Sequence, residues 1–303
     1  MKAEDPGWLA RHCAVVADEG TIDVDGCPIR WLRWGDPAAA PLVLVHGGAA
    51  SSRWWVPLAP FLATDHCVVA PDLSGMGDSG WRSSGYRTEQ WADEVIACVT
   101  AATSAPNQAV LVGHSLGGSV AAVAAVRHPH RVRGVVLCDT GVSGSTRTSR
   151  TGRHFRNRLT YPSAAEAIER FKLIPRQGCV NTAMVDHIAR TSIRPVGPGG
   201  PDDPTRPEEA DALAWTWKFD WRLFARSYEQ PFSSYLDRLG ALPLPVACIF
   251  GEQSRVVTAV VAERIANHLG PIPTQRIPQA AHHLMLDQPL AFIEALRTVL
   301  IGM

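Results

Sequence analysis

Short runs of consecutive apolar residues recur along this chain, with longer segments between them. Four such runs lie at 42–45, 67–70, 109–112 and 134–138, and apolar residues recur at helical spacing over 88–103. Strands that are apolar throughout are buried on both faces, which is typical of parallel sheets covered by helices. The pattern therefore predicts an α/β fold, with a mostly parallel sheet flanked by helices and joined by right-handed crossovers.

Both ends of the chain extend this predicted sheet. Apolar and polar residues alternate at 21–25 and 29–34, on either side of a turn at Gly26. This alternation predicts an antiparallel hairpin at one edge of the sheet. Strands and helices alternate again near the C-terminus, where we predict strands at 246–250 and 274–277 and helices at 258–269 and 290–300.

The alternation of predicted strands and helices is interrupted over residues 141–240. This stretch contains an amphipathic pattern at 163–173 and a Pro/Gly-rich loop at 195–207. We therefore predict a helical cap, or lid, at 141–240, inserted between two segments of one core at 1–140 and 241–303.

Aromatic residues are concentrated in the second half of this predicted lid, among them Trp215, Trp217 and Trp221. Tryptophan supplies a large apolar surface with few rotatable bonds, which suits the wall of a small-molecule pocket. Two interpretations remain open, because the same residues could instead pack the lid against the core.

Composition and charge narrow the class of partner. The 303 residues are 46% apolar and 19% charged, and 29 Lys and Arg balance 29 Asp and Glu. This balance gives no overall field that would favour nucleic acid or an anionic membrane, so we expect a small-molecule partner. The chain lacks a signal-peptide pattern and any run of 18 apolar residues, which predicts a cytoplasmic protein. Its seven widely spaced cysteines include no Cys-x-x-Cys pair and are interpreted as thiols, without a metal.

The strongest chemical signal is Gly113-x-Ser115-x-Gly117, which joins a predicted strand to a predicted helix. Glycines on both sides remove the Cβ atoms that would clash in a sharp turn, and this strand–turn–helix pattern is a nucleophile elbow. Ser115 is therefore the predicted nucleophile, the alternative being a structural serine in a turn. The N–H of the next residue, Leu116, is predicted to face a developing oxyanion.

Three further motifs accompany this elbow: His-Gly-Gly-Ala at 46–49, Asp-x-x-Gly-x-Gly-x-Ser at 72–79, and a segment at 277–289 that contains adjacent histidines. Together with the elbow, they resemble the α/β-hydrolase superfamily over nearly the whole chain, in the form of a capped serine hydrolase. The resemblance implies an α/β-hydrolase fold and a catalytic triad of serine, histidine and an acid.

The resemblance also implies roles for individual residues. Gly48 would supply the second oxyanion N–H, with Ala49 as a near alternative, and the turn at 72–79 would be structural. Counting back from the Asp-Gln-Pro end of the third motif places the catalytic histidine at His282. His283 then occupies a position that is usually apolar or aromatic.

The triad acid is where this chain departs from the family. Members usually carry an aspartate three residues after the glycine at position 251, and here Ser254 stands there. A serine cannot stabilise imidazolium as a carboxylate does. Asp139 is favoured as the acid, since it ends a predicted strand and preserves the chain order Ser, Asp, His. Glu252 is the alternative, as is a Ser–His pair without an acid.

These residues predict hydrolysis of a small-molecule carboxylic ester or lactone through an acyl-serine intermediate, without a metal or organic cofactor. Ser115 would attack while neutral His282 takes and returns the proton. Within the superfamily, a serine at the elbow argues against epoxide hydrolases and haloalkane dehalogenases. Two alternatives remain: a carbon–carbon bond hydrolase of ring-cleavage products, and a small-molecule receptor without turnover.

Overall fold

The computed structural model describes residues 7–104, 108–142, 160–197, 213–224 and 232–303. Within these residues, the strands are β1 (Asp18–Val24), β2 (Cys27–Trp34), β3 (Pro41–Val45), β4 (Cys67–Pro71), β5 (Ala109–His114), β6 (Val132–Cys138), β7 (Thr160–Tyr161), β8 (Ile193–Val196), β9 (Ala214–Trp217), β10 (Val246–Gly251) and β11 (Thr274–Ile277). The helices are α1 (Trp8–Cys13), α2 (Ala59–Leu62), α3 (Thr88–Ala102), α4 (Leu116–Arg127), α5 (Ala164–Glu169), α6 (Thr182–Thr191), α7 (Phe232–Gly240), α8 (Ala259–Leu269), α9 (Leu284–Asp287) and α10 (Pro289–Leu300).

Eight strands form one sheet in the order β1-β2-β4-β3-β5-β6-β10-β11. The pairs β1–β2 and β2–β4 are antiparallel, and all other neighbours in this sheet are parallel. The predicted mostly parallel sheet with an antiparallel hairpin at its edge is therefore confirmed. Since β5, β6 and β10 are parallel neighbours, their carboxyl ends meet at one edge of the sheet, where ligands bind in open α/β folds.

Successive residues of the central strands pack on opposite faces of this sheet, as the pleat requires. Leu42 and Leu44 of β3 lie in one hydrophobic cluster, which also contains Phe292 of α10. Val43 and Val45 lie in a second cluster together with side chains of α3 and α4. Burial on both faces explains why these strands are continuous apolar runs in the sequence.

The predicted bounds of the core elements are close to the observed ones. Strand β11 has the bounds predicted for it, and helix α3 ends one residue before its predicted end. Helix α10 begins at Pro289, one residue earlier than predicted, because proline is well tolerated at the first position of a helix. No helix among the described residues is both long and apolar enough to cross a membrane.

The predicted lid at 141–240 contains strands as well as helices. Strands β7, β9 and β8 form a separate antiparallel sheet with β9 in its centre, alongside helices α5 and α6. This differs from the prediction of a helical lid, because the aromatic residues of β9 favour the extended conformation. Parts of the lid at 143–159, 198–212 and 225–231, with most of the predicted loop at 195–207, lie outside the described residues.

Two helices of this region also differ from expectation. Helix α5 is shorter than the predicted 163–173: Ser163 caps it by accepting a hydrogen bond from the Glu166 N–H at 3.2 Å, and the chain leaves the helix at Arg170. Helix α7 contacts α4 and α8, and its Leu236 is buried in the second core cluster. The packing thus assigns α7 to the core, whereas the prediction assigns residues up to 240, and with them α7, to the lid.

Candidate active site

Ser115 lies in a strained turn between β5 and α4. Its backbone has φ 54° and ψ −117°, a left-handed φ that residues with a Cβ adopt only at a cost in energy. Close backbone approach makes both flanking glycines necessary. A Cβ on Gly113 would lie 2.2 Å from the Gly117 carbonyl oxygen, and one on Gly117 would lie 2.3 Å from that of Val45. The predicted nucleophile elbow is therefore present in the structure.

His282 lies in the loop between β11 and α9 and contacts two groups brought from distant parts of the chain. Its Nε2 is 3.1 Å from Ser115 Oγ, and its Nδ1 is 2.7 Å from Asp139 Oδ2. Only 4% of the His282 residue and none of Asp139 is exposed. Because a carboxylate can only accept, Nδ1 carries the proton, and Nε2 is then free to accept the Ser115 hydroxyl proton.

Asp139 directly follows β6 and holds its carboxylate at the end of β10. Its Oδ1 accepts the Gly251 N–H at 3.1 Å, and its Oδ2 accepts the Ser254 hydroxyl at 2.6 Å. The Ser254 oxygen in turn accepts the N–H groups of Val256 and Val257 at 3.1 and 3.0 Å. These two donors occupy its lone pairs, so the hydroxyl proton of Ser254 is directed to Asp139.

Ser254 therefore donates a hydrogen bond to the Asp139 carboxylate, from the position at which family members usually carry the acid itself. No pattern in the sequence indicates this role, because it depends on the ends of β6 and β10 being adjacent in the sheet. Glu252, the alternative acid, is exposed, and its Oε2 accepts the Gln279 N–H at 3.3 Å. The structure thus brings Asp139, and not Glu252, to His282.

The predicted oxyanion donors belong to the start of α4 and to the loop after β3. Leu116 is the first residue of α4, where a backbone N–H has no partner within the helix. The loop with Gly48 follows β3 and approaches closely, since a Cβ on Gly47 would be 3.3 Å from Ser115 Cβ. The alternative donor Ala49 has a left-handed φ of 59°. The assignment of Gly48 and Leu116 as oxyanion donors remains a prediction.

The shape of this loop is held by His46 and by the turn at 72–79. The His46 Nδ1–H donates to the Gly47 carbonyl at 2.8 Å, while Nε2 accepts the Leu73 N–H at 3.1 Å. Burial lowers the pKa of His46, which keeps the ring neutral and able to accept at Nε2. Asp72 accepts the Ser52 N–H at 2.6 Å, so this turn fastens the chain that follows the loop.

Two further histidines pack against His282. His114 Nε2 donates to the His282 carbonyl at 3.0 Å, and burial, together with the neighbouring histidines, holds the His114 pKa well below its usual value. His283 packs its ring against Trp54, His114 and His282, with centroids 5.4, 5.5 and 4.8 Å away. Burial and the neighbouring His282 lower the pKa of His283 to about 3, and the Ile174 backbone opposes this only partly.

Among the described residues, these three histidines are the group that could hold a metal ion, with ring nitrogens within 4.8 Å of one another. Both nitrogens of His282 and Nε2 of His114 already have hydrogen-bond partners. A bound metal would therefore have to break the contacts that align His282. The donor set fits the triad better than it fits a resident metal.

The tryptophans predicted for the pocket lie within the predicted lid at 141–240. Trp215 and Trp217 are in β9, and Trp221 begins a short 3₁₀ helix. The Trp217 ring contacts Tyr161 and Phe171, with centroids 5.5 and 5.9 Å away. Both partners of Trp217 lie within the predicted lid itself, so these contacts favour neither interpretation, and the pocket role of the three residues stays a prediction.

The segment after β9, within the predicted lid, is hydrogen-bonded to the core by contacts that the sequence did not indicate. Lys218 Nζ donates to Asp78 at 3.0 Å, and the buried Asp220 accepts the Tyr86 hydroxyl at 2.7 Å. The Asp220 N–H also donates to the Gly75 carbonyl at 2.7 Å. We call this set of contacts the 218–220 anchor. Burial and the bond to Asp220 raise the pKa of Tyr86, so its hydroxyl keeps its proton.

Comparisons with known proteins agree with this fold. A model of the alpha/beta hydrolase fold family matches residues 40–289. The crystal structure of E-2-(acetamidomethylene)succinate hydrolase is 19% identical, has a TM-score of 0.75 and covers 94% of this chain and 100% of that chain. The structure of the M. tuberculosis esterase Rv0045c has 20% identity, a TM-score of 0.70 and coverage of 99% and 100%. These likenesses confirm the predicted α/β-hydrolase fold.

Two relatives illustrate the range of activities among similar sequences. Esterase Rv0045c of Mycobacterium tuberculosis (strain ATCC 25618 / H37Rv) is 28% identical over 272 residues, which cover 89% of this chain and 85% of that protein. The 2-hydroxymuconate semialdehyde hydrolase of Pseudomonas sp. (strain CF600) is 39% identical over 111 residues. That alignment covers 35% of this chain and only 38% of the relative.

The buried, neutral His283 predicts a dependence of stability on pH. The free energy of unfolding rises with pH, and therefore falls on acidification, wherever the unfolded chain binds more protons than the native one. Unfolded His283 takes up a proton below about pH 6.5, whereas native His283 has a pKa of about 3. From pH 8 to pH 5, this residue should remove about 2 kcal/mol of stability. Urea unfolding at both values should therefore show a loss about 2 kcal/mol smaller in His283→Phe than in the wild type.

Phenylalanine is the matched replacement because the family usually has an apolar or aromatic residue here and because the ring contacts can be kept. His130→Gln, at an exposed histidine, is the control and should keep the wild-type difference between the two pH values. An unchanged difference in His283→Phe would show that native His283 is not held neutral.

Proposed function

Since the chain belongs to the alpha/beta hydrolase fold family, we propose that it hydrolyses a carboxylic ester or lactone of a small molecule through an acyl-serine intermediate. The observation that carries this proposal is the continuous hydrogen-bonded series Ser115 Oγ, His282, Asp139, with distances of 3.1 and 2.7 Å. A serine hydroxyl is a weak nucleophile unless an oriented base accepts its proton, and this series provides one.

In the first step, Ser115 Oγ attacks the carbonyl carbon and passes its proton to His282 Nε2. The electron pair of the carbonyl bond moves to the oxygen, which becomes an oxyanion. Collapse of this intermediate breaks the bond to the leaving alcohol, and the imidazolium of His282 gives that oxygen its proton. An acyl-serine ester remains on Ser115, while in a lactone the leaving alcohol stays attached through the acyl chain.

In the second step, water attacks the acyl-serine while His282 takes a proton from the water. Collapse of the second oxyanion releases the carboxylic acid, and the proton on His282 returns to Ser115 Oγ. Asp139 keeps the Nδ1–H tautomer throughout and stabilises the imidazolium formed in each step. The mechanism uses no metal or organic cofactor.

The proposed oxyanion donors are the N–H groups of Leu116 and Gly48. Their role is supported by the position of Leu116 at the first turn of α4 and by the close approach of Gly47, in the loop after β3, to Ser115. A donor that is already oriented toward the developing charge contributes about 10²- to 10³-fold in rate in other hydrolases.

The substrate is proposed to be a small molecule bound beneath the lid, with Trp215, Trp217 and Trp221 as pocket residues. Their aromatic surface and their place in the lid support this assignment. Of the two relatives described above, the one that aligns over most of its length is an esterase, which favours ester hydrolysis over the other chemistries of the fold.

Cleavage of a carbon–carbon bond is the second candidate. It is favoured by the 39% identity with 2-hydroxymuconate semialdehyde hydrolase, although that alignment covers 38% of the relative. Assay of the purified protein on p-nitrophenyl esters, lactones and a vinylogous diketone separates the two candidates by their products. Labelling by a fluorophosphonate supports either enzyme, whereas saturable ligand binding without labelling or turnover would indicate a receptor.

Replacement of the nucleophile should abolish turnover without unfolding the protein. Ser115→Ala removes one oxygen from a half-buried turn residue, so the melting temperature should remain close to that of the wild type. Turnover of p-nitrophenyl acetate should fall by several powers of ten, and fluorophosphonate labelling should disappear. More than about a tenth of the wild-type rate would contradict an acyl-serine mechanism.

Neutralising the acid should distinguish Asp139 from Glu252. Asp139→Asn removes the charge that stabilises the imidazolium and should lower kcat by roughly 10²- to 10⁴-fold. Glu252→Gln is the matched control and should change kcat by less than about twofold, since Glu252 is exposed and bound to Gln279. The reverse pattern of rates would move the acid to Glu252, and two mild effects would indicate a Ser–His pair.

The position of Ser254 predicts a rescue. Its Oγ is 2.6 Å from Asp139 Oδ2, which itself is 2.7 Å from His282 Nδ1. In an Asp139→Asn background, Ser254→Asp places a carboxylate within reach of the same nitrogen and should recover about tenfold or more of the lost kcat. Ser254→Asn in that background is the matched control, and equal rates in the two double variants would rule out rescue by charge.

A further inference from the structure

The loop that carries His282 is hydrogen-bonded on both sides of that residue. On one side, the Ala281 N–H donates to Asp287 Oδ2 at 2.8 Å. On the other, the His283 N–H donates to Gln177 Oε1 at 3.1 Å. Gln177 Nε2 closes the series by donating to the same Asp287 oxygen at 2.8 Å. The side chains of Gln177 and Asp287 therefore join the backbone N–H groups of the two residues on either side of His282, and we call this arrangement the His282 bracket.

The two side chains of the bracket come from different parts of the fold. Asp287 ends α9, six residues after the peptide it binds, whereas Gln177 belongs to the lid segment between α5 and α6. Other contacts hold this segment against the same loop. Cys179 Sγ lies 3.6 Å from the Leu286 carbonyl, and the Ile174 backbone contacts His283. The lid thus lies directly against the backbone that sets the position of His282.

The chemistry of the bracket requires an amide at position 177. Its oxygen must accept a backbone N–H, and its nitrogen must donate to a carboxylate. A carboxylate side chain of the same length could accept from His283 but would place a second negative charge beside Asp287. An apolar side chain of similar length would fill the space without either bond. Among side chains of this length, only glutamine supplies both the acceptor for the His283 N–H and the donor to Asp287.

We propose that Gln177 is a positioning residue, through which the lid aligns His282 with Ser115. This inference rests on the proposed function. The Nε2 of His282 must stay near 3.1 Å from Ser115 Oγ while Nδ1 stays 2.7 Å from Asp139, and a displacement of about 1 Å in such a group can lower a rate about 100-fold. When Gln177 is in place, the bracket holds the backbone N–H groups of Ala281 and His283. Without Gln177, the His283 N–H loses its hydrogen-bond partner.

The test compares Gln177→Met and Gln177→Glu with the wild type on p-nitrophenyl acetate. Methionine keeps the length and removes both hydrogen bonds, whereas glutamate keeps the shape and reverses the donor. We expect kcat to fall about 10- to 100-fold in both variants, with KM changed by less than about twofold, because so small an ester makes little use of the lid. Arg176→Ala, at the exposed neighbouring position, is the control and should retain the wild-type kcat.

A second measurement reads His282 without turnover. The proton on His282 Nδ1 gives a downfield NMR resonance while it is held against Asp139, and this resonance should broaden or shift in both Gln177 variants but not in Arg176→Ala. Circular dichroism and the melting temperature establish that each variant is folded. A role in stability alone would lower the melting temperature and leave both kcat and the resonance as in the wild type, which would overturn the proposal.

The outcomes also separate this inference from the proposed function. A wild-type protein that hydrolyses no ester contradicts the proposed function, and the NMR resonance then still tests whether Gln177 positions His282. An active wild type with unchanged kcat in Gln177→Met contradicts the inference alone. A Gln177→Glu variant as active as the wild type would likewise overturn it, since the donor to Asp287 would then be unnecessary.

Discussion

The hydrogen bond between His282 Nδ1 and Asp139 Oδ2 is the interaction on which the candidate site depends. A buried carboxylate without partners is costly, and Asp139 is completely buried. It is stabilised by three donors: His282, the Ser254 hydroxyl and the Gly251 N–H. Two of these donors belong to the end of β10 and the turn after it, and the third belongs to the histidine loop, so the carboxylate is satisfied only when β6, β10 and the histidine loop are correctly packed. The same bond fixes which nitrogen of His282 faces Ser115.

Much of this arrangement could be predicted because its main parts have local signatures. Ser115 is marked by the glycines that a sharp turn requires, and His282 by its spacing from a motif that ends in proline. Asp139 is favoured over Glu252 by its place at a strand end and by the chain order Ser, Asp, His. Of the two, Asp139 contacts His282 in the structure, and this contact depends on the order of strands in the sheet and not on the residues next to Asp139 in sequence.

The parts that could not be predicted are those that rest on tertiary contacts alone. Nothing in the neighbourhood of Ser254 indicates that two backbone N–H groups direct its hydroxyl to Asp139. Gln177 lies in a segment without periodicity, more than a hundred residues from the loop that it binds. The small antiparallel sheet of the lid was missed for a similar reason: its strands are two to four residues long, too short for alternation to be recognised.

Among the contacts that the described residues make between the predicted lid and the core, two sets have different chemical roles. The His282 bracket holds the loop of the proposed base, and the 218–220 anchor binds the 72–86 region, whose Asp72 and Leu73 hold the chain around the proposed oxyanion loop. In this fold, new substrates are usually accommodated by changes in elements outside the sheet. A lid transferred to this chain from a relative would make different contacts with the His282 loop and with the proposed oxyanion loop. Evolution or engineering of specificity in this chain is therefore limited to lid changes that preserve these two attachments, and substrate choice and catalytic alignment are inherited together.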